Sequence, residues 1–221
     1  MARAIDQVST GVPRADSPKY LDADLRSSWA ARLLITDVES SMGDVDLLVN
    51  NAGIQFTARV EDFSVSKWDD IIAINLPSVF HTSAAVLPGM QKRQHGRIIN
   101  IASAHGLVAS AEKAAYVAAK HGVVGLTKTI ALENAKSDLT CNATCPGWVK
   151  TALVETQIQK YMERKSLSYQ DATATLLTGK EPGGRFTTPE KIVAAVLFLA
   201  SDAGNNMTGI SLAMDGGWTA Q

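Results

Sequence analysis

Cysteine is scarce in this chain, and the two that occur exclude more than they offer. Cys141 and Cys145 lie four residues apart in an apolar stretch, Leu139 to Cys145, that reads as a buried strand. Four residues of strand hold their Cα atoms roughly 13 Å apart, whereas a disulfide needs less than about 7 Å. No Cys or His cluster of ligand spacing accompanies them, so free thiols packed in a core are expected and no metal site. Surplus charge is lacking too. The 21 basic and 22 acidic residues leave a formal net charge of -1, which favours neither nucleic acid nor an anionic membrane surface as partner. No apolar run approaches the roughly 20 residues that cross a bilayer, and the N-terminus lacks the apolar core of a secretory signal. A soluble, cytoplasmic protein is the expectation. Glycine is sparse early on: before Asn50 there are only Gly11 and Gly43. A glycine-rich turn of the kind that cradles a pyrophosphate at a helix N-terminus is therefore missing from this stretch.

What is present is a regular alternation. With 46% hydrophobic residues, the 221-residue chain can build one sizeable domain. Residues 1–20 mix Gly11, Pro13, Pro18 and charges without a period, as a loose leader would; residues 21–221 form the domain. The pattern predicts a helix over Ser27 to Met42, stopped by Gly43, and a buried strand over Val45 to Val49. A long helix over Lys67 to Met90 and a strand over Arg97 to Ala102 come next. They are followed by a helix over Ala111 to Leu132, a strand over Leu139 to Cys145, a helix over Pro189 to Ala200 and a strand over Ile210 to Met214. Such alternation implies an α/β fold, a parallel sheet covered on both faces. Right-handed crossovers bring all strand C-terminal ends to one edge, where open α/β sheets bind ligands.

The unusual residues fall in the loops at that edge. Tyr116 and Lys120 are four apart in the predicted helix and share one face. An ammonium beside a phenol stabilises the phenolate, which makes the phenol a usable acid and base near neutral pH. The strand ending near Ser103 can bring a second hydroxyl to the same substrate oxygen.

Six signals occur in order: Asn50 to Gly53, Asn75 on the long helix, Ser103, Tyr116 with Lys120, Pro146 with Gly147, and Asp215 to Gly217. From about Tyr20 to Gln221 the chain resembles the short-chain dehydrogenase/reductase family. The resemblance implies a Rossmann-like doubly wound parallel sheet, truncated at the N-terminal side because the opening βαβ unit has no counterpart. It makes Tyr116 the acid/base, Ser103 a hydrogen-bond donor to the reacting oxygen, and Lys120 the group that depresses the Tyr116 pKa and holds the nicotinamide ribose. Asn75 would anchor a proton-relaying water. Asp24 and Leu25 would flank the adenine, while Asn51, Ala52, Gly53, Pro146, Gly147, Val149 and Thr151, with Tyr116 and Lys120, would hold the nicotinamide half of the cofactor. Weak cofactor binding is expected without the cradle.

Within the family the chain is most similar to the 3-hydroxybutyrate dehydrogenases. Gln55, His105, Lys113 and Gln157 resemble their carboxylate clamp, and Trp148 and Trp218 would wall off a short carbon chain. Singly, each has a plainer reading as a solvated or core residue. The segment 152–184, which carries Gln157, reads as a mobile lid. The resemblance implies an oxidoreductase that interconverts 3-hydroxybutyrate, or a similar small anionic hydroxy acid, and its keto acid by hydride transfer with NAD, NADP not being excluded. It also implies a homo-oligomer, a tetramer built through the long helices. The alternative is a catalytically silent homologue that serves as an assembly or binding partner.

Overall fold

The computed structural model describes residues 2–3 and 20–220; the side chains of residues 2, 3, 152, 153, 157 and 160 are not described, and the expected leader falls almost wholly outside. In chain order the strands are β1 (Ala2–Arg3), β2 (Asp22–Ala23), β3 (Leu47–Asn50), β4 (His95–Ile101), β5 (Asp138–Pro146) and β6 (Ser211–Met214). The helices are α1 (Ser28–Met42), α2 (Val65–Asn75), α3 (Pro77–Arg93), α4 (Ala114–Glu133), α5 (Ala152–Lys165), α6 (Tyr169–Thr178) and α7 (Pro189–Ala200).

Strands β3 to β6 pair in parallel in sequence order, and β1 pairs antiparallel with β2. Successive strand residues point to opposite faces, and neighbours Ile98 and Ile99 show the consequence. Ile98 packs with Ile35, Val86, Met90 and Ile130 from α1, α3 and α4; Ile99 packs on the other face with Val196 and Leu199 from α7. The sheet is thus apolar on both sides, as the continuous runs predict.

The expected helix over Lys67 to Met90 is two helices. Pro77 disfavours helical backbone in the residue before it, and Leu76 breaks the run with φ -129° before α3 starts at Pro77. Together Val65–Arg93 is long and apolar enough, by length and composition, to cross a membrane, which corrects the expectation that no stretch approaches that length. Its apolar residues Ile71, Val79, Val86 and Met90 are instead buried in this fold.

A polar network runs through the sheet centre. Asn50 Nδ2 donates to Asn100 Oδ1 (2.9 Å), Thr82 Oγ1 donates to Asn50 Oδ1 (2.7 Å), and Asn100 Nδ2 donates to Thr127 Oγ1 (2.9 Å). These bonds tie β3, β4, α3 and α4 together, because a buried amide left unpaired is costly. β3 is the sheet edge among the described residues, with Leu47 and Val49 exposed there. Replacing Asn100 by Ala strips partners from Asn50 and Thr127, and the expected loss is about 1–3 kcal/mol. Urea unfolding should show a lower midpoint with unchanged slope; an unchanged midpoint would mean the network carries no stability.

Candidate active site

All four parallel strands end at one edge. Register pairs Asn50 with Asn100, Ile101 with Thr144, and Pro146 with Met214, so the loops after these strands stand side by side. Ser103 lies two residues past β4, and its Oγ accepts from the His105 backbone N–H at 3.2 Å. Helix α4 starts three residues later than expected, at Ala114, so Lys113 is its N-cap residue and Tyr116 lies in its first turn.

Lys120 is 4% exposed and donates to the carbonyl of Ile101, the last residue of β4, at 2.7 Å. Burial pushes its pKa down to about 8. A Cβ on Gly106 would lie 2.9 Å from the Lys120 carbonyl oxygen, so glycine there lets the loop approach the helix backbone. The Lys120 ammonium is 5.6 Å from the centre of the Tyr116 ring. The Tyr116 pKa is raised, because burial outweighs the opposing hydrogen bond from Ser103. That corrects the expected direction: in the ligand-free site the ammonium is bound to a strand carbonyl, and desolvation of the phenolate dominates.

Asn75, the last residue of α2, is fully buried and spends its amide on the Ile54 and Ile71 carbonyls at 2.9 and 2.8 Å. Its Oδ1 is buried with no partner among the described residues. A Cβ on Gly53 would come within 2.8 Å of that oxygen and 3.9 Å of Lys120 Nζ. Glycine therefore keeps open a polar space between an orphaned acceptor and an ammonium.

A cavity of about 160 Å³ is lined by Gln55, His105, Lys113, Trp148 and Trp218 together with Ser103 and Tyr116. Five of the six expected substrate residues thus share a cavity with Ser103 and Tyr116; the side chain of Gln157 lies outside the described residues. Among the described residues no Asp or Glu lines this cavity. The Lys113 ammonium sits 5.5 Å from the Trp148 ring centre, and burial, helped by the charge of Lys180, lowers its pKa to about 8. His105 packs edge-on against Trp218 at 4.9 Å, and burial with the nearby lysines drives its pKa down to about 3.

A second cavity, about 440 Å³, is lined by Leu25, Asn51, Ala52 and Gly53. Asp24 does not line it, since its exposed carboxylate is held by Arg26 at 2.9 Å, which brings its pKa down to about 2. Gly147, Val149 and Thr151 line the smaller cavity instead, with Thr151 also capping α5. Pro146 is buried as the last residue of β5. The residues present fit the two ends of a dinucleotide, and no pyrophosphate cradle occurs among the described residues between them.

Sequence reasoning passed over Ser110, Lys180 and Glu181. Ser110 lies in a loop of small residues. Lys180 and Glu181 precede Pro182, Gly183 and Gly184, and charged residues beside such a turn read as solvated. Yet Glu181 is 1% exposed, its Oε1 accepts from the Trp148 backbone N–H, and its Oε2 is buried without a partner among the described residues. Burial raises its pKa from 4.5 to about 7, the Trp148 N–H opposing and Asp215 adding. Below that window the group is protonated in both folded and unfolded chains, and above it ionised in both. Within it only the folded chain keeps the proton, so folding takes up a proton and stability falls as pH rises from about 4.5 to about 7. Glu181→Gln, which keeps the acceptor for Trp148, should flatten this slope in denaturant midpoints measured across the window; an identical slope in the variant would assign it to other groups.

A family model described as enoyl-(acyl carrier protein) reductase matches residues 2–219. The D-beta-hydroxybutyrate dehydrogenase of Cupriavidus necator is 48% identical over 202 residues, which cover 91% of this chain and 78% of the relative. The protein of the same name from Rhizobium meliloti is 50% identical over 199 residues, covering 90% and 77%. The 2-(S)-hydroxypropyl-CoM dehydrogenase 3 of Xanthobacter autotrophicus is 38% identical over 218 residues, covering 99% and 82%. With a hydroxyl, a phenol and a lysine already gathered at one strand edge, these matches show that the chain belongs to the short-chain dehydrogenase/reductase family of oxidoreductases.

Proposed function

We propose that this chain interconverts 3-hydroxybutyrate and its 3-keto acid by hydride transfer with a nicotinamide cofactor, NAD. The observation that carries the reading is the small cavity in which Ser103 and Tyr116 face Lys113, His105 and Gln55, with no carboxylate in its lining. A short hydroxy acid presents one anionic end and one reacting oxygen, and this lining offers a cation and donors for the first, hydroxyls for the second. Gln55 Nε2 is buried with no partner among the described residues, so it is a donor that a bound carboxylate would satisfy. The two relatives named for D-beta-hydroxybutyrate support the same substrate class.

In this reading Lys113 holds the carboxylate, Trp148 and Trp218 exclude water, and Ser103 donates to the C3 oxygen. Tyr116 gives its phenolic proton to that oxygen during reduction and takes it back during oxidation. Asn75 Oδ1 holds a water that passes the proton to and from Lys120. Leu25 flanks the adenine end of the cofactor, and Asn51, Ala52 and Gly53, with Gly147, Val149 and Thr151, hold its nicotinamide half. The bound cofactor supplies or accepts the hydride. Exposed apolar residues on α2, α3 and α4, among them Val65, Phe80 and Leu132, support association with further copies of the chain.

Spectrophotometric assay with NAD and 3-hydroxybutyrate should give a rate that Tyr116→Phe lowers by roughly 10²–10⁴-fold. Calorimetric titration of NADH should give heat. No rate at any cofactor concentration, with no heat, would sink the reading and favour a catalytically silent homologue.

A further inference from the structure

One chain of polar groups at the cavity contains two members, Lys180 and Ser110, that the reaction just described does not use. Lys180, two residues beyond α6, is half-buried; its Nζ lies 2.9 Å from Ser110 Oγ and 5.0 Å from the centre of the Trp218 ring. Ser110 Oγ lies 3.0 Å from His105 Nε2, and His105 Nδ1 lies 3.4 Å from Ser103 Oγ. The four groups link a lysine on the segment after α6 to the hydroxyl beside the acid/base.

The direction of these bonds follows from the end group. An ammonium has three protons to give and no lone pair to accept with, so Ser110 accepts from Lys180, and its own proton is left for His105 Nε2, the one acceptor that the described hydrogen bonds offer it. A neutral imidazole that accepts at Nε2 carries its proton on Nδ1. His105 is neutral because burial, with Lys113 and Lys180 nearby, depresses its pKa. Its Nδ1–H then faces Ser103 Oγ, which already accepts the His105 backbone N–H at 3.2 Å. With both lone pairs engaged, Ser103 has only its proton left to offer. The Nδ1 link is the longest of the chain, and such contacts tighten when substrate is bound.

We infer that Lys180 is a positioning residue that acts through Ser110 to hold His105 in its Nδ1-protonated tautomer, and so makes Ser103 an obligate hydrogen-bond donor toward the reacting oxygen. The kinetic consequence rests on the function proposed above; the tautomer does not.

The test is two-bond proton–nitrogen correlation NMR on the full chain labelled at histidine, with His105 assigned by its loss in His105→Asn. Wild type should show protonated Nδ1 and bare Nε2. Lys180→Met and Ser110→Ala should move the proton to Nε2, wholly or in part, while Lys180→Arg, again a pure donor, should retain it on Nδ1. Circular dichroism identifies any variant that fails to fold, and either of the two then decides. An Nδ1-protonated His105 in both Lys180→Met and Ser110→Ala overturns the inference. In the assay, Lys180→Met should lower kcat roughly tenfold with KM little changed, since a donor aimed at the transition state is lost rather than ground-state binding. A raised KM at constant kcat would assign Lys180 to the carboxylate instead and overturn the positioning role. If wild type is inactive, the proposed function fails while the tautomer measurement still decides this inference.

Discussion

A buried ammonium has to find a partner, and Lys120 finds the carbonyl that ends β4. That contact fixes the register of α4 against the sheet. Once Lys120 Nζ is bound to the Ile101 carbonyl, Tyr116, one helical turn earlier, is carried beside Ser103, two residues beyond Ile101. Gly106 allows the close approach, and the Ala102 backbone N–H anchors the other side by donating to the Thr144 carbonyl at 2.8 Å. The reacting hydroxyls are placed by one strand terminus and one helix face, both rigid, rather than by loops that would have to find each other.

The remaining walls of the site depend on loops that carry their own ties. Asp215 accepts from the backbone N–H groups of Gly217 and Thr219 at 3.1 and 3.0 Å, which shapes the turn leading to Trp218. Glu181 reaches beneath Trp148 to its backbone N–H, joining the segment after α6 to the β5 loop. Helices α5 and α6 add a small apolar cluster of their own, in which Val154, Ile158 and Ala172 pack with Trp148. Trp148 is therefore held by a buried carboxyl group whose pKa is raised, which makes that wall sensitive to proton uptake in a way the strand framework is not.

Most of the sheet and much of the cavity were legible in the sequence, and the failures have local causes. Strands β4 and β5 stand within two residues of their predicted bounds, because a strand covered on both faces must be apolar throughout. Helix α7 matches its predicted range. The break at Leu76 was missed because the apolar period continues through Pro77, and only the steric effect of proline on its predecessor marks the boundary. Gln55, His105, Lys113, Trp148 and Trp218 were legible through family resemblance, not through any period of the chain. Lys180 and Ser110 were not, since their roles come from hydrogen bonds to a residue 70 positions away, and from Ser110 to His105 across a loop. No local pattern encodes such contacts.

The electrostatics of the cavity give the resting site a direction. Lys113 and Lys180 are both depressed by desolvation, and no carboxylate in the lining offsets them. In the proposed reading an entering anion raises the Lys113 pKa again and satisfies the buried Gln55 amide, so binding and protonation reinforce each other. The phenol is shifted the opposite way. With its pKa raised, Tyr116 stands protonated and is ready to give a proton, which suits reduction of a ketone. To serve as base it needs positive charge brought closer than the Lys120 ammonium, which is tied to Ile101. In the proposed reaction Ser103 matters in both directions: as a donor it stabilises the developing alkoxide and phenolate alike, and as an acceptor it opposes both. In that proposal the orientation of one hydroxyl proton sets how strongly both oxygens are stabilised.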